Sequence, residues 1–295
     1  MAGGRPPGDA ALGTRPRPGS RVLRRFRRNR AAITGGVIVG LLAGVALLAD
    51  RLPLRSPLQM RPPERMAGPS LAAPFGADSF GRDLLSRTVH GARLSLGVAI
   101  ASVAAALGGG TLLGVVAGYA GGRTDQVIMR TMDVFFSFPA ALLALGIVAA
   151  LGPGSEHVVL AIAVVYTPIF ARVVRGPVLA LKEREFVEAT RALGARGSAV
   201  VLRHIVPNLG SVLIVQTSVA LSWAVLTEAS LSFLGLSAQP PAPSWGAMLN
   251  EGRQNLELAP HLAVFPGVAI MLAVLGFNLL GDGLRDVLDP RAVAQ

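Results

Sequence analysis

The sequence contains no cysteine and only one lysine among its 295 residues. Without cysteine, disulfides, thiol catalysis and cysteine-ligated metals are excluded. The single lysine, Lys182, follows Leu181, so the Gly-Lys-Ser/Thr core of a nucleotide-binding phosphate loop is absent. The four histidines are far apart, and the sequence suggests neither a Ser–His–acid triad nor a pair of catalytic carboxylates. These absences predict a chain that is not an enzyme and that binds no cofactor or metal.

Charged residues are also scarce, at 15%, whereas 52% of the residues are hydrophobic and the mean hydropathy is +0.54. A membrane-spanning helix needs ~20 mostly apolar residues. Six long uncharged runs alternate with charged clusters, which predicts an all-α polytopic membrane protein with six transmembrane helices. The six runs are Ala31–Ala49, Leu94–Gly122, Val134–Ser155, His157–Ala171, His204–Thr227 and Leu258–Gly281.

A seventh uncharged run, Ala229–Asn250, contains closely spaced prolines and predicts an extramembrane loop, because prolines at that density cannot continue a helix. The runs divide the chain into regions. We expect a disordered basic N-terminus, a first membrane helix, an extracytoplasmic segment, a core of five further helices and a C-terminal tail. These regions cover residues 1–30, 31–50, 51–93, 94–284 and 285–295.

Arginine placement predicts the orientation in the membrane. Nine arginines precede the first run, and basic residues favour the cytoplasmic side. With that end inside, residues 182–208 and the C-terminus are also cytoplasmic, although seven arginines in the outer segment 50–93 weaken the contrast. The net charge of +11 is then explained by an orientation anchor, and we expect no nucleic-acid partner.

Glycines recur every four residues in the first two runs, at Gly36, Gly40 and Gly44 and at Gly110, Gly114, Gly118 and Gly122. Such ribbons let helix backbones approach closely in lipid, and we expect packing within the chain more than a subunit interface. Acidic residues are almost absent from the runs. Glu228 follows the fifth run and is predicted near the outer surface, which argues against a midplane proton relay.

The segment 182–208 is charged and amphipathic. Phe186, Ala189 and Leu193 share one face of a predicted helix over 182–192, and Gly194 is placed to end it with positive φ. A second short helix is expected from Gly197. This helix–turn–helix presents a small apolar ridge, which suits a groove on a partner protein. The alternative is a helix resting on lipid headgroups, which the acidic residues of this segment disfavour.

Several ordered blocks of sequence resemble one known family. Glu188-Ala189-Thr190, followed by Gly194 and later Pro207, is similar to the EAA loop of ABC-importer permeases, with Thr190 and Val206 as mild departures. Further blocks resemble the C-type permease subunit of dipeptide, oligopeptide and nickel importers. They are FGADSFGRDLLSR (75–87), GYAGGRTDQVIMRTMDV (118–134), LTEASLSFLGL (226–236), PSWGAML (243–249) and NLLGDGLRDVLDPR (278–291).

The resemblance implies the type I ABC-importer permease fold in a bacterial inner membrane. It also implies a second homologous permease subunit, two cytoplasmic ATPases and an extracytoplasmic solute-binding protein as partners, with peptides as the solute. The alternatives are an importer of nickel or another small solute in the same family, and an ion-coupled secondary transporter. Residues 182–208 are implied to be the coupling segment. The expected ATPase-docking residues are Phe186, Glu188, Ala189, Leu193 and Gly194, and the gate candidates are Glu228 and Trp245.

Overall fold

A computed structural model describes residues 26–288, which fold mainly into helices. Within that range the only strand-type pairing is an isolated bridge between Ala77 and Asp83. Most of the predicted basic N-terminus and of the predicted C-terminal tail lies outside the described residues. The helices are α1 (Arg30–Leu48), α2 (Leu84–Ala120), α3 (Gly122–Phe136), α4 (Ala140–Leu151), α5 (Ser155–Lys182), α6 (Glu185–Ala192), α7 (Gly197–Val200), α8 (Gly210–Phe233), α9 (Trp245–Arg253) and α10 (His261–Leu288).

Five helical stretches in the described chain are long and apolar enough to cross a membrane. They are α1, α2, α5, α8 with the short turns before it, and α10. A sixth crossing requires α3 and α4 together, and these meet at 89°. The predicted all-α membrane architecture is confirmed, with five to six spans.

The predicted third span, Val134–Ser155, differs from the structure. It contains α4, which has 12 residues and is therefore about 18 Å long, against a hydrocarbon core of ~30 Å. The break before α4 follows from Pro139 at its N-cap, because proline cannot donate the backbone hydrogen bond that would continue α3.

α2 begins ten residues earlier than its uncharged run. The Asp83 carboxylate caps it by accepting a hydrogen bond from the Ser86 backbone N–H at 2.8 Å. The end of the expected outer segment 51–93 is therefore helical. Counting uncharged residues missed this start because the helix carries buried and paired arginines in its first three turns.

The loop predicted for Ala229–Asn250 is wrong at both ends. α8 continues to Phe233, and α9 begins at Trp245. The Ser244 hydroxyl caps α9 by accepting a hydrogen bond from the Ala247 N–H. A serine is a common helix N-cap, but the neighbouring prolines led to the prediction of a loop. Only the middle of the segment is an irregular connection.

α2 packs along α5 through its glycine ribbon. A Cβ at Gly110 would lie 2.5 Å from Cβ of Phe170, and one at Gly114 would lie 2.5 Å from the carbonyl oxygen of Ala171. Gly118 is similarly close to α5. The two helices run parallel, so both end on the side of the molecule that carries residues 182–208, which we call the inner end. For these three glycines, the predicted packing within the chain is confirmed.

The glycine ribbon of α1 behaves differently. Gly40 and Gly44 have open space where a Cβ would lie, as does Gly122 at the start of α3. The close approach of α1 is made by Gly35, where a Cβ would lie 2.4 Å from the backbone nitrogen of Leu280 on α10. The prediction of packing within the chain is therefore wrong for Gly40, Gly44 and Gly122.

Candidate coupling and gate sites

The coupling segment, residues 182–208, folds into two short helices separated by a glycine turn. α6 ends at Ala192, and Gly194 follows with a φ of +83°, a conformation that glycine reaches at little steric cost. α7 begins at Gly197 and is followed by irregular helical turns that end at Leu209, directly before α8. The helix–turn–helix and the positive φ at Gly194 agree with the sequence prediction.

The predicted docking residues lie on the exposed side of α6. Phe186 is 44% exposed, Leu193 is 89% exposed, and Ala189 between them is also exposed. We call these three side chains the docking ridge. Leu202, in the turn after α7, is 68% exposed as well, and the sequence argument did not identify it. The ridge is apolar surface that this chain leaves open at its inner end.

The opposite side of the coupling segment is buried. Val187 of α6 and Ile205 after α7 are fully buried in a cluster completed by Val115, Val174, Val178, Val200 and Leu209. We call this set the inner cluster. It joins the segment to the inner ends of α2, α5 and α8, and the guanidinium of Arg191 adds a contact 5.1 Å above the Tyr119 ring. The segment is therefore fixed to three membrane helices.

Glu188 was expected to fix the segment by pairing with a basic or amide group. It is exposed, and within residues 26–288 it forms no ion pair; the one ion pair at this point of the chain joins Lys182 and Glu183. Thr190, the departure from the EAA pattern, donates its hydroxyl to the Phe186 carbonyl at 2.7 Å. The Glu188 carboxylate is thus available at the surface beside the docking ridge.

Glu228, a gate candidate, is completely buried near the end of α8 that lies opposite the inner end. We call that side of the molecule the outer end. One carboxylate oxygen accepts from the Ser237 hydroxyl at 3.3 Å, and the other has no hydrogen-bond partner in the described chain. Leaving a buried polar atom unsatisfied is costly. This carboxyl group is therefore the least satisfied acidic group at the outer end.

Trp245, the other gate candidate, is 1% exposed and holds α9 against α2. Its indole N–H donates to the Thr88 carbonyl at 2.9 Å, and its backbone N–H donates to the Ser95 hydroxyl at 3.3 Å. Gly91 allows this approach, since a Cβ there would lie 3.3 Å from the indole ring. Trp245 therefore fixes the start of α9 to α2 in this structure.

A buried ion cluster at the outer end was not found by the sequence argument. One Asp78 oxygen accepts from the backbone N–H groups of Phe80 and Arg82 at 2.9 Å. The other lies 2.5 Å from Nε of Arg82 and 3.2 Å from Nε of Arg87, and Glu251 of α9 contacts Arg82 at 3.3 Å. These four charged residues, the outer ion cluster, join the outer segment to α2 and α9. In the sequence, only the i, i+4 spacing of Asp78 and Arg82 indicated an ion pair in this cluster.

Two concave surfaces adjoin these elements. An outer cavity of about 670 Å³ opens beside the outer ion cluster, and its lining combines arginine and amide side chains with apolar residues such as Phe80 and Pro241. A second groove, of about 490 Å³, is apolar and lies between α4, α5 and α8. It holds one polar pair, Tyr166 and Thr227, whose hydroxyls are 3.0 Å apart, and its wall includes Trp223, which is 59% exposed.

Within residues 26–288, no three His, Asp or Glu side chains are grouped so that they could hold a metal ion. The functional candidates in the described chain are surfaces: an apolar ridge at the inner end, an apolar groove along the helices, and a cavity of mixed polar and apolar lining at the outer end.

The comparisons with known proteins agree with this geometry. The sequence model described as "Binding-protein-dependent transport system inner membrane component" matches residues 110–293. The one described as "N-terminal TM domain of oligopeptide transport permease C" matches residues 17–74. The two matches together cover most of the chain.

Curated relatives match over nearly the whole length. A dipeptide transport system permease protein of Alkalihalophilus pseudofirmus is 44% identical over 274 residues, which are 93% of this chain and 90% of the relative. Glutathione transport system permease proteins of Pectobacterium atrosepticum and Escherichia coli are each 47% identical over 269 residues, 91% of this chain and 89% of each relative. The chain therefore belongs to the family of binding-protein-dependent transport system inner membrane components, as a permease with several membrane-spanning helices.

Proposed function

We propose that this chain is one of two permease subunits of an ATP-driven importer for short peptides, and that it receives energy from cytoplasmic ATPases through the coupling segment. The observation that carries this proposal is the docking ridge, which is exposed on one side of α6 and rigidly attached on the other. The chain has no phosphate loop, so energy from ATP must reach it by contact. Its termini are then cytoplasmic in the inner membrane.

The attachment of the coupling segment suits transmission of movement. Moving a gate from 1:99 to 99:1 requires a preference of about 5.5 kcal/mol for one state, and a soft connection would lose that preference locally. Val187, Ile205 and the rest of the inner cluster are fully or largely buried, and the segment continues directly into α5 and α8. Closure of the ATPases would therefore tilt those two helices.

We assign the apolar groove between α4, α5 and α8 to the interface with the second permease subunit and to the edge of the pathway. Trp223 and Leu142 are 59% and 62% exposed beside it, so a large apolar surface is left uncovered along membrane helices. An apolar pathway wall with one Tyr166–Thr227 hydroxyl pair would pass a solute without holding it tightly. Specificity would then depend on the solute-binding protein.

At the outer end, we assign α9 and the outer cavity to the seat of the solute-binding protein. The outer ion cluster and Trp245 fix α9 to α2, so force applied to α9 would reach the membrane helices. Glu228, buried one turn before the end of α8, is the proposed gate residue, because its unsatisfied oxygen would gain a partner in a second conformation. Trp245 supports that gate by positioning α9.

The peptide class follows from relatives named for dipeptide and glutathione transport, the latter a tripeptide. Nickel or another small solute stays as the alternative within this family. Growth on peptides and uptake of labelled nickel, each compared between a deletion strain and a complemented strain, separate the two.

The docking proposal is tested by Phe186→Asp. A carboxylate forced into an apolar groove is strongly disfavoured unless water reaches it, so we expect association with the ATPases to weaken about ten- to hundredfold, or about 1.4–2.8 kcal/mol. The measurement is co-purification of both ATPases and the second permease with this chain. The matched control is Leu71→Asp, a fully exposed leucine in the outer segment. An intact complex with normal transport for Phe186→Asp would exclude the ridge as the docking surface.

A further inference from the structure

Helix α3 is amphipathic, and both of its acidic residues are paired with α5. Asp125 accepts two hydrogen bonds from Arg175, at 2.5 and 2.6 Å, and Asp133 accepts one from Arg172. Met132 is the buried residue of the helix. One side of α3 is thus held to the protein through charge pairs and a buried methionine.

The opposite side of α3 carries a regular stripe. Arg123, Val127, Arg130 and Val134 follow the i, i+4, i+7, i+11 spacing of a single helix face. All four are exposed, with Val127 at 66% and Val134 at 60%. Among residues 26–288 neither arginine takes part in an ion pair, since the acids of α3 pair with α5. We call these four residues the basic stripe; it combines two uncompensated positive charges with two apolar side chains.

The depth of α3 follows from its partners on α5. α5 begins at Ser155, which we take as the outer boundary of the hydrocarbon core. Because 20 residues of helix span that ~30 Å core, Arg175 then lies at its inner boundary. Because Arg172 and Arg175 contact α3, this helix lies at the same level. Its 89° angle to α4 carries it obliquely across that boundary instead of through the core.

We propose that the basic stripe binds the phosphate groups of anionic lipids in the cytoplasmic leaflet, with the two valines inserted between the acyl chains. This inference rests on the orientation in the proposed function, which puts the inner end in the cytoplasm. Anionic headgroups attract arginine near the membrane surface, and apolar residues on the same face of an interfacial helix insert beside them.

Charge and composition favour lipid over protein as the occupant of the stripe. A protein groove that buries Arg123 and Arg130 must provide a partner for each charge, because an unpaired buried charge is costly. A helix that lies at the membrane surface is surrounded by lipid phosphates, which provide such partners. The apolar residues of the stripe are valines, short enough to insert while the longer arginine side chains extend to the headgroups.

The experiment uses the assembled transporter, purified in detergent and titrated with a fluorescent phosphatidylglycerol probe. Each arginine contributes roughly fivefold to binding at a membrane surface, so Arg123→Gln with Arg130→Gln should weaken the probe's affinity by about 25-fold. Arg123→Lys with Arg130→Lys should keep most of the affinity, because it preserves both charges. Arg65→Gln with Arg253→Gln, in the outer segment and α9, removes the same net charge elsewhere and should leave the affinity unchanged.

Two results would overturn the proposal. One is unchanged affinity in the glutamine variant; the other is release of the second permease subunit by that variant, which would make the stripe a protein interface. The titration does not require transport. A preparation that binds the probe through the stripe but associates with no ATPase would reject the proposed function and leave the lipid site standing.

Discussion

The outer and inner ends of this permease are built in opposite ways. At the outer end, the buried Asp78 carboxylate pairs with the buried Arg82 and Arg87, and Trp245 of α9 is buried against α2. At the inner end, the charged side chains of the coupling segment are mostly exposed, and its ridge leaves Leu193 89% uncovered. The outer ion cluster buries charged side chains, whereas the docking ridge exposes apolar ones.

This contrast separates two requirements of a permease. Buried ion pairs are strongly destabilising to break, which makes them suited to fixing a segment such as 52–83 that has little regular structure. An exposed apolar ridge adds no stability within the chain, because the hydrophobic free energy of its side chains is gained only when a partner covers them. The outer ion cluster is completed by residues of this chain, whereas the docking ridge is left exposed by the described residues.

The largest expected effect comes from removing the shared anion of the outer ion cluster. Asp78→Ala leaves Arg82 and Arg87 buried without their carboxylate, a change that costs about 3–5 kcal/mol in comparable buried pairs. We expect a lower midpoint of thermal unfolding and less protein in the membrane, both measurable by size-exclusion chromatography after heating.

Glu64→Gln is the matched control for that prediction. Glu64 pairs with Arg55 and Arg61 at 3.0 and 3.1 Å in the same segment, but these side chains are partly exposed, and such pairs add little stability. Equal midpoints for Asp78→Ala and the natural sequence would show that burial of the cluster does not hold the outer end together.

A smaller effect is expected where α2 meets α5. Gly114→Val places a side chain where even a Cβ would lie 2.5 Å from the Ala171 carbonyl oxygen, and overpacking of this kind costs typically 1–3 kcal/mol. Gly40→Val on α1 adds the same atoms where there is open space. Thermal unfolding should therefore separate the two variants. If Gly40→Val were as unstable as Gly114→Val, loss of glycine in a membrane helix, and not close packing, would be responsible.

The smallest expected change in folding, with a selective change in activity, is at Gly194. A β-branched residue at its φ of +83° costs roughly 1–2 kcal/mol and would change the angle between α6 and α7. For Gly194→Val we expect near-normal abundance with less solute imported per ATP hydrolysed in reconstituted vesicles. Gly194→Asn, which tolerates positive φ better, should restore most of the coupling. Unchanged uptake per ATP in the valine variant would show that coupling does not depend on the turn at Gly194.

The sequence predicted what depends on local pattern. The spacing of Phe186, Ala189 and Leu193 placed them on one helix face, and Gly194 marked the turn, because helix periodicity and glycine conformation are properties of short segments. The glycine spacing of α2 was equally informative. The identical spacing in α1 was not, since Gly40 and Gly44 face open space while Gly35 makes the contact.

Features assembled from distant segments could not be predicted. The pairing of Arg82 with Glu251 joins residues 169 positions apart, and the burial of Trp245 depends on Gly91 of another helix. Helix α3 was missed for a related reason: its charged residues marked 123–133 as a connection between two uncharged runs, whereas Asp125 and Asp133 find partners on α5. Counting charges along the chain cannot show which of them are neutralised in space.

The central claim is that the docking ridge contacts an ATPase, and site-directed cross-linking tests it most directly. Because the natural chain has no cysteine, Leu193→Cys provides one reactive thiol on the ridge, and Leu71→Cys provides an equally exposed control in the outer segment. With a short thiol-to-amine cross-linker in membrane vesicles, the account predicts that the Leu193→Cys chain is joined to an ATPase subunit and the control is not. Cross-linking of the ridge only to the second permease subunit, or to neither protein, would contradict it.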